Sequence, residues 1–465
     1  MADRQPATDW GALERAIEGE VVLPGSPSYE AARKGAIARF HDVRPQAVVR
    51  CRTPADVAET IGLARRSGVP AVARSGGHDF AGHSSTDGIV VDVTPMRSVE
   101  VSGDVATVGA GARLGGLYDA LAGHGLTIPA GCGPTVGIAG LTLGGGLGIL
   151  GRRHGLTCDH LLAAQVALAD GRLVDCDDHH DPELFWALRG AGAGNFGVVT
   201  SLAFGTVPPP AATAFHLRWP YAHAAALVDA WQAWAPDAPG ELAASLLLTA
   251  AGEADRPPQL HLFGAMLGSR ADTTRLLDPL VARAGADPAS AVLEHASHRE
   301  IKRYLAEHGP GEDQPAEDGH PYSKSEFFRR PLPPDAAAAL VAHLAGGRPP
   351  GEARELDFSP WGGAYNRMPA EATAFVHREE RFLLKHTVVV DAHAAPAERQ
   401  AARAWLSRSW ALAHPWGSGG VYPNFPDPDL EDWAHAYYGG NDERLVRVKK
   451  RYDPDGFFRS AQSLP

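Results

Sequence analysis

His78 lies in the loop ARSGGHDFAGHSS (residues 73–85), between the small Gly77 and the acidic Asp79. With a reference pKa of about 6.5, an imidazole there is largely neutral at cellular pH and is a competent nucleophile, although a lone loop histidine more often serves as a hydrogen-bonding group. Glycine gathers around it and in two further stretches, GCGPTVGIAGLTLGGGLGILG (131–151) and RGAGAGNFGVVT (189–200). Glycine costs conformational entropy on folding, so such density has a use where backbone approaches a ligand closely or takes a positive φ. Consecutive N–H groups in a glycine turn form a concavity for phosphate oxygens, and Arg74, Ser75 and Ser84 add donors suited to a pyrophosphate. Gly146, Gly148 and Gly151 also spell a formal G-x-G-x-x-G, with Asp170 about twenty residues later, as a nicotinamide-dinucleotide fingerprint requires. The context is wrong for that reading: Gly151 would open a helix long enough to cross a sheet, yet RRHGLTCD brings Gly155 and Thr157 at once with no apolar period. Tight turns alone would leave the other two glycine clusters unexplained.

The elements that must hold these loops read as mixed α/β. TPADVAETIGLARRSG (53–68) predicts a helix: Thr53 caps it, Pro54 opens the first turn, Val57, Ile61 and Ala64 share a face, and Gly68 stops it. GIVVDV from Gly88 reads as a strand, SVEVSGDVATVGAG as a hairpin across Ser-Gly-Asp, RLGGLYDALAGHG as a helix, and LLAAQVALADGRLV as a strand-like run. DCDDHHD (175–181) has metal-ligand chemistry, but DHHDPELFWALRG reads better as a polar turn, an Asp181 N-cap, Pro182 and an amphipathic helix, so no metal is expected. Three prolines in TVPPPAAT (206–213) break the pattern and mark a domain boundary. Beyond them Ala-rich helical stretches mix with strand-like LLLTA, LHLFGAML, ELDF and HTVVVDA, while APDAPG and GPGEDQPAEDGHP read as surface loops. NDERLVRVKKRYDPDG predicts a short amphipathic helix closed by an Asp-Pro-Asp-Gly turn.

The whole chain sets outer bounds. Its 465 residues exceed the roughly 250–300 at which one core stops growing, so at least two packed units are expected. A net charge of -12 repels nucleic acid and anionic membranes, and neither is an expected partner. Cys51, Cys132, Cys158 and Cys176 are widely spaced with no C-x-x-C pair, which argues for reduced thiols over a zinc or disulfide framework. The N-terminal MADRQPATDWGALERAIEGE is charged throughout, and no stretch reaches the roughly 18 apolar residues of a membrane span, so the expected compartment is the cytoplasm. No G-x-S-x-G elbow offers serine hydrolysis its local geometry.

In order and spacing the three glycine regions resemble the PCMH-type FAD-binding domain of the vanillyl-alcohol oxidase superfamily, specifically its berberine bridge enzyme-like branch. The tail VYPNFPDPDLEDWAHAYYGGNDERLVRVKKRYDPDGFFRSAQSLP is similar to that branch's C-terminal signature almost residue for residue, so the resemblance spans nearly the whole chain. YSKSEFF and PWGGAYNRM of the middle region are its least distinctive part. The resemblance implies a two-domain α+β fold. Residues 1–207 form the FAD-binding domain, 208–419 a substrate-binding domain of antiparallel sheet backed by helices, and 420–465 a segment that completes the FAD domain.

It further implies FAD joined through its 8α carbon to His78. The same carry-over places Arg74, Ser75, Gly76, Gly77, Asp79, Gly82 and Ser84 of the first loop at the cofactor. From the second come Cys132, Pro134, Thr135, Val136, Gly137, Gly140, Leu141, Gly145, Gly146 and Gly148, and from the third Gly194, Asn195, Gly197, Val198 and Val199. Doubly linked relatives carry a cysteine immediately before Pro-Thr-Val-Gly and bond it to flavin C6; here Gly133 holds that place and Cys132 precedes it, so attachment through His78 alone is expected. Tyr422 of Tyr-Pro-Asn-Phe aligns with a tyrosine that family oxidases hold over the flavin, and is the expected base once a positive neighbour or hydrogen bonds lower its reference pKa of about 10. Asn424 would orient flavin or substrate. Asp357 and Glu355 lie where the family's auxiliary acids occur, with a solvated or strand-edge role as the alternative; Trp361 and Tyr365 line the pocket or belong to the core. Val136 resembles the family's oxygen gate, and its short β-branched side chain leaves room for dioxygen.

The implied activity is an FAD-dependent oxidase that removes hydride from an alcohol-type or secondary-metabolite small molecule, with O2 as acceptor and H2O2 as product. A flavin-dependent oxygenase or oxidative cyclase of natural-product biosynthesis on the same scaffold is the alternative, and a non-catalytic flavin-binding protein is a third reading. The sequence carries no signal for the substrate's identity or for an oligomeric state.

Overall fold

The structure, a computed structural model, describes residues 8–309 and 319–465. The first seven residues of the charged N-terminal stretch and most of the loop expected at 309–321 lie outside the described residues.

Local signals act where they stand. Asp56 N–H donates to Thr53 Oγ1 at 3.2 Å and Thr53 N–H to Asp56 Oδ2 at 3.3 Å, a reciprocal cap that starts the helix Pro54–Ser67, which ends at Gly68 with φ 64°. Its apolar face, Val57, Ile61 and Ala64, enters a core shared by two sheets. The first is four-stranded, ordered Glu20–Val22, Ala47–Arg50, Ile89–Asp92, Ala71–Arg74. Its last three strands are parallel, so their outgoing loops, including the one that carries His78, gather at one end. The second is five-stranded and antiparallel, ordered Val99–Ser102, Val105–Gly109, Val198–Gly205, Leu161–Ala167, Leu173–Asp177.

Two expectations change in detail. LLAAQVALADGRLV is not one strand: the Asp170 carboxylate accepts from Arg172 N–H at 3.0 Å, Gly171 takes φ 84°, and Leu173–Asp177 folds back on Leu161–Ala167. Asp181 precedes the helix Pro182–Ala191 but does not cap it; with φ 46° its carboxylate turns away and accepts from Tyr452 Oη at 2.6 Å.

The middle of the chain forms a seven-stranded sheet, ordered Ser290–Ala296, Ala212–Trp219, Gln259–Met266, Leu242–Ala250, Glu352–Pro360, Phe382–Val390, His320–Phe328. Every pairing in it is antiparallel. The pleat gives it two unlike faces. Leu246, Leu262, Leu356, Phe358 and Leu384 share one apolar cluster with the helices Ala224–Trp234, Pro334–Ala345 and Pro396–Ala413. On the opposite face the register aligns Arg218, His261, Leu247, Asp357, Lys385 and Ser325 in a row across the strands. That face meets the second glycine region: Ile149 and Leu150 pack with Leu247 and Phe263, and Leu147 packs with Phe327 and Leu383.

The tail then returns to the first core. Leu445, Val448 and Tyr452 of the helix Asp442–Tyr452 join Leu184 and Phe185 there. Gly151–His154 is a single helical turn, too short to cross a sheet as a dinucleotide fold demands. Among the described residues no three metal-ligating side chains gather, and no helix is long and apolar enough to cross a membrane.

Candidate active site

The first two glycine loops meet backbone to backbone. A Cβ on Gly76 would lie 2.2 Å from Gly137 N, so neither loop could close on the other with a side chain between them. That contact brings His78 Nε2 to 3.0 Å from Thr135 Oγ1, linking the two segments through side chains. Burial first, and then the Arg113 charge, hold the His78 imidazole below its usual pKa, which keeps it neutral and its lone pair available. Arg74 and Ser75, expected to donate to a bound phosphate, serve the chain itself. The buried Arg74 donates from Nε to Ser84 O at 3.0 Å and from Nη1 to Ala32 O and Arg33 O at 3.1 and 3.0 Å, and Ser75 Oγ donates to Ala110 O at 2.7 Å. The Asp79 carboxylate accepts from Ala81 N–H and His83 N–H at 2.9 and 2.8 Å and thereby folds the loop around Gly82. The backbone N–H groups of these loops are donors suited to phosphate oxygens.

Tyr422 is buried against Phe327, Trp361, Phe375 and Phe425. Its Oη accepts from Gly146 N–H at 3.0 Å, from Leu147 N–H at 3.1 Å and from Asn424 Nδ2 at 3.1 Å. Burial pushes the hydroxyl's pKa well up, and the bonds from Asn424 and Gly146 offset only part of that rise. Three N–H groups aimed at one oxygen are an arrangement suited to a phenolate, and among the described residues no positively charged side chain touches it. Asn424 Nδ2 also donates to Leu141 O at 2.8 Å, fastening the Tyr-Pro-Asn-Phe segment to the second loop. Tyr365, stacked on Trp361, donates to Gly148 O at 3.1 Å, so this pair lies in the wall behind the glycine loop.

Asp357 stands on the polar face of the large sheet, opposite Lys385 in register, and accepts from Ser359 Oγ at 3.0 Å. Burial raises its carboxyl pKa while the Lys385 charge lowers it. Lys385 Nζ lies 3.2 Å from the buried Glu355 and 5.3 Å from the centre of the Phe425 ring, which also packs edge-on against Tyr422 and Phe80. Lys385 was not among the residues expected here. Its signal in the sequence was a single lysine inside FLLKHTVVV, an unusual residue for a buried strand, but only the register shows what faces it. In the third loop, Asn195 is buried and committed to the chain: Nδ2 donates to Ala191 O at 2.9 Å, and its carbonyl accepts from Lys449 Nζ at 2.6 Å. Gly197 backs directly on Val166 and Ala167, and Val198 and Val199 continue into the strand Val198–Gly205. Cys132 is half-buried beside the sheet residues Phe263 and Leu247, and all four cysteines are free.

A Cβ on Gly140 or on Gly194 would meet no atom within 4 Å, so the second and third loops border open space, and Pro134 and Thr135 are exposed beside Val136. Glycine N–H concavities, a neutral histidine and this open cradle fit a flavin dinucleotide.

Known proteins agree. An FAD binding domain model matches residues 45–177, and the berberine and berberine like model matches residues 421–465. The chain is 32% identical to the uncharacterized FAD-linked oxidoreductase YgaK of Bacillus subtilis, over 97% of each chain. The solved structure of Physcomitrella patens BBE-like 1 is 28% identical with a TM-score of 0.86, each chain covered to 98%. Xylooligosaccharide oxidase from Myceliophthora thermophila, solved with xylobiose, is 27% identical with a TM-score of 0.84, again over 98% of each chain. With its two-domain α+β architecture, its loops suited to FAD and these relatives along its whole length, the chain belongs to the berberine bridge enzyme-like family of FAD-linked oxidoreductases.

Proposed function

We propose that the protein oxidises a hydroxyl-bearing small molecule, with FAD joined to His78, Tyr422 as the catalytic base and dioxygen as the electron acceptor, giving hydrogen peroxide. The observation that carries this reading is the convergence of Gly146 N–H, Leu147 N–H and Asn424 Nδ2 on Tyr422 Oη. Donors fixed in advance around an oxygen that will carry negative charge stabilise it without reorganisation, as in an oxyanion hole. When bound, the flavin supplies the hydride acceptor and the site at which oxygen is reduced.

The protein's share is binding, orientation and proton management. A neutral His78 is the form that can bond to the cofactor. Tyr422 Oη takes the substrate hydroxyl proton as the phenolate, a form that the three donors stabilise against the burial that disfavours it. Arg218, His261, Asp357, Lys385 and Ser325 offer donors and acceptors from one sheet face. That polarity suits a substrate rich in hydroxyl groups, and the relative solved with xylobiose supports it. Asp357 orients such a substrate beside the base. Cys132, displaced by one residue from the family's second attachment point and packed toward the sheet, stays unbonded. The domain limits at 207 and 419 belong to the same reading, with the substrate between the large sheet and the loops.

Anaerobic stopped-flow reduction of the bound flavin by a panel of oligosaccharides, phenolic alcohols and alkaloids tests the proposal, with peroxide then counted in air. Bleaching by a hydroxylated compound and one peroxide per substrate are expected. Oxygen consumption with little peroxide would instead mark an oxygenase, and no bleaching by any compound a non-catalytic flavin protein.

A further inference from the structure

A cleft of about 890 Å3 opens beside the outgoing ends of the strands Ala47–Arg50 and Ile89–Asp92 and the start of the helix Leu114–Ala122. None of the residues of the three glycine loops lines it. Its walls hold four arginines, Arg50, Arg52, Arg97 and Arg113, against one acid, Glu20. In a chain of net charge -12, this is a marked local reversal of sign. Arg50 reaches Glu20 at 3.3 Å, while Arg52, Arg97 and Arg113 have no acidic partner among the described residues. Unpaired guanidiniums that share a concave wall repel one another, and the arrangement is stabilised when an anion enters.

The helix adds to the same field. No side chain caps its N-terminus, and its first turn lines the cleft through Gly116 and Leu117. Its first two N–H groups are taken by Val136 O and Pro134 O at 3.0 and 2.9 Å, so the helix contributes the partial positive charge of its dipole rather than free donors. Val99 and Leu117 give the cleft an apolar side as well.

We propose that this cleft binds a small, multiply charged organic anion, carrying phosphate or carboxylate groups on a partly apolar body, at a site separate from the flavin. Arg52 and Arg97 grip the charged groups, with Arg113 at the helix start as the third contact. The volume suits a molecule of metabolite size. Arginine is the residue for such a grip because its planar fork meets phosphate and carboxylate oxygens two at a time.

Calorimetric titration of the FAD-loaded enzyme with inorganic pyrophosphate, and separately with citrate, tests this and separates the phosphate from the carboxylate source. Saturable binding of at least one probe is expected. Arg52→Ala and Arg97→Ala should each weaken it by about tenfold, the order of one lost charge-assisted hydrogen bond, with flavin content and substrate oxidation unchanged. Arg97→Lys should recover part of the loss. Arg113 is left intact because its charge reaches His78. The assignment is overturned if neither probe saturates, or if both alanine variants bind as tightly as the wild type. It is also overturned if binding seen with flavin-free His78→Ala protein vanishes once FAD is loaded, because the cleft would then belong to the cofactor's own footprint.

Discussion

At the scale of single residues, the proposed function gives three side chains separable steps. His78 is half-buried, 3.0 Å from Thr135 Oγ1 and held neutral by burial and by Arg113. His78→Ala should therefore yield protein whose flavin is released by acid, whereas the wild type keeps flavin on the His78 tryptic peptide in mass spectrometry. Because the imidazole pKa is depressed, attachment of FAD to the flavin-free protein should continue at pH values below the usual histidine range and fail only further down. Tyr422→Phe removes the oxygen on which three N–H groups converge. Loss of a general base slows flavin reduction by about a hundred to ten thousandfold. The same change strands buried donors at a cost of about 1–3 kcal/mol, so the thermal midpoint must be read beside the kinetics; a fall in midpoint with an unchanged reduction rate would make Tyr422 a support for the glycine loop and nothing more. Val136 follows the exposed Pro134 and Thr135 in the chain and carries a short, stiff side chain. Val136→Leu, one methylene larger, should slow reoxidation by oxygen and leave anaerobic reduction largely intact when stopped-flow traces of the two half-reactions are compared.

At the scale of elements, the large sheet divides its work between faces. Its apolar face is covered by helices, and its polar face sets Asp357 against Lys385 with Glu355 at 3.2 Å from the same ammonium. Lys385→Met would leave two recessed carboxyls without their cation. Removing one partner from such a buried set costs about 3–5 kcal/mol. The pH dependence has a definite sign. Burial raises the Asp357 pKa, and without the lysine it rises further. A carboxyl whose folded pKa exceeds its unfolded value binds protons more tightly in the folded state, so its contribution is present at low pH and lost as pH rises through the folded pKa. Denaturant midpoints should therefore show the variant weakest at neutral pH and nearer the wild type in mild acid; a deficit independent of pH would mean that Lys385 contributes packing rather than charge.

At the scale of the whole molecule, the C-terminal segment is the fastener. Lys449 is buried and donates to Asp453 Oδ2, to Asn195 O in the third glycine loop and to Phe458 O, each at 2.6 Å. Asn424 Nδ2 ties the same segment to Leu141 O at 2.8 Å. The tail thus holds two of the three loops from behind. Lys449→Met leaves the buried Asp453 unpaired, a loss again of about 3–5 kcal/mol. Calorimetry should show a lowered transition, and hydrogen exchange should rise first at residues 194–197. Protection that falls evenly over both sheets would show that the tail stabilises the core without positioning the loop.

By itself the sequence determined what local backbone chemistry dictates. Thr53, Pro54, Asp56 and Gly68 delimit a helix through caps and a left-handed stop, which need no distant partner. Glycine clustering, the His78 loop and the Tyr-Pro-Asn-Phe tail were enough to identify the family, because these motifs are contiguous in the chain. Tertiary structure alone decided the contacts that give those motifs their geometry. Tyr422 finds its donors 275 and 276 residues away, and no periodicity in a sequence encodes such a pairing. Arg74 read from the sequence as a donor for phosphate, and only the tertiary structure brings its guanidinium to the carbonyls of residues 32, 33 and 84. Lys385 and Asp357 became a pair only when strand register set them face to face, since a one-residue slip would turn each to the other side of the sheet. The four arginines of the cleft are spread from residue 50 to residue 113, and only the approach of one sheet's strand ends to a helix of the next layer makes them a single positive surface.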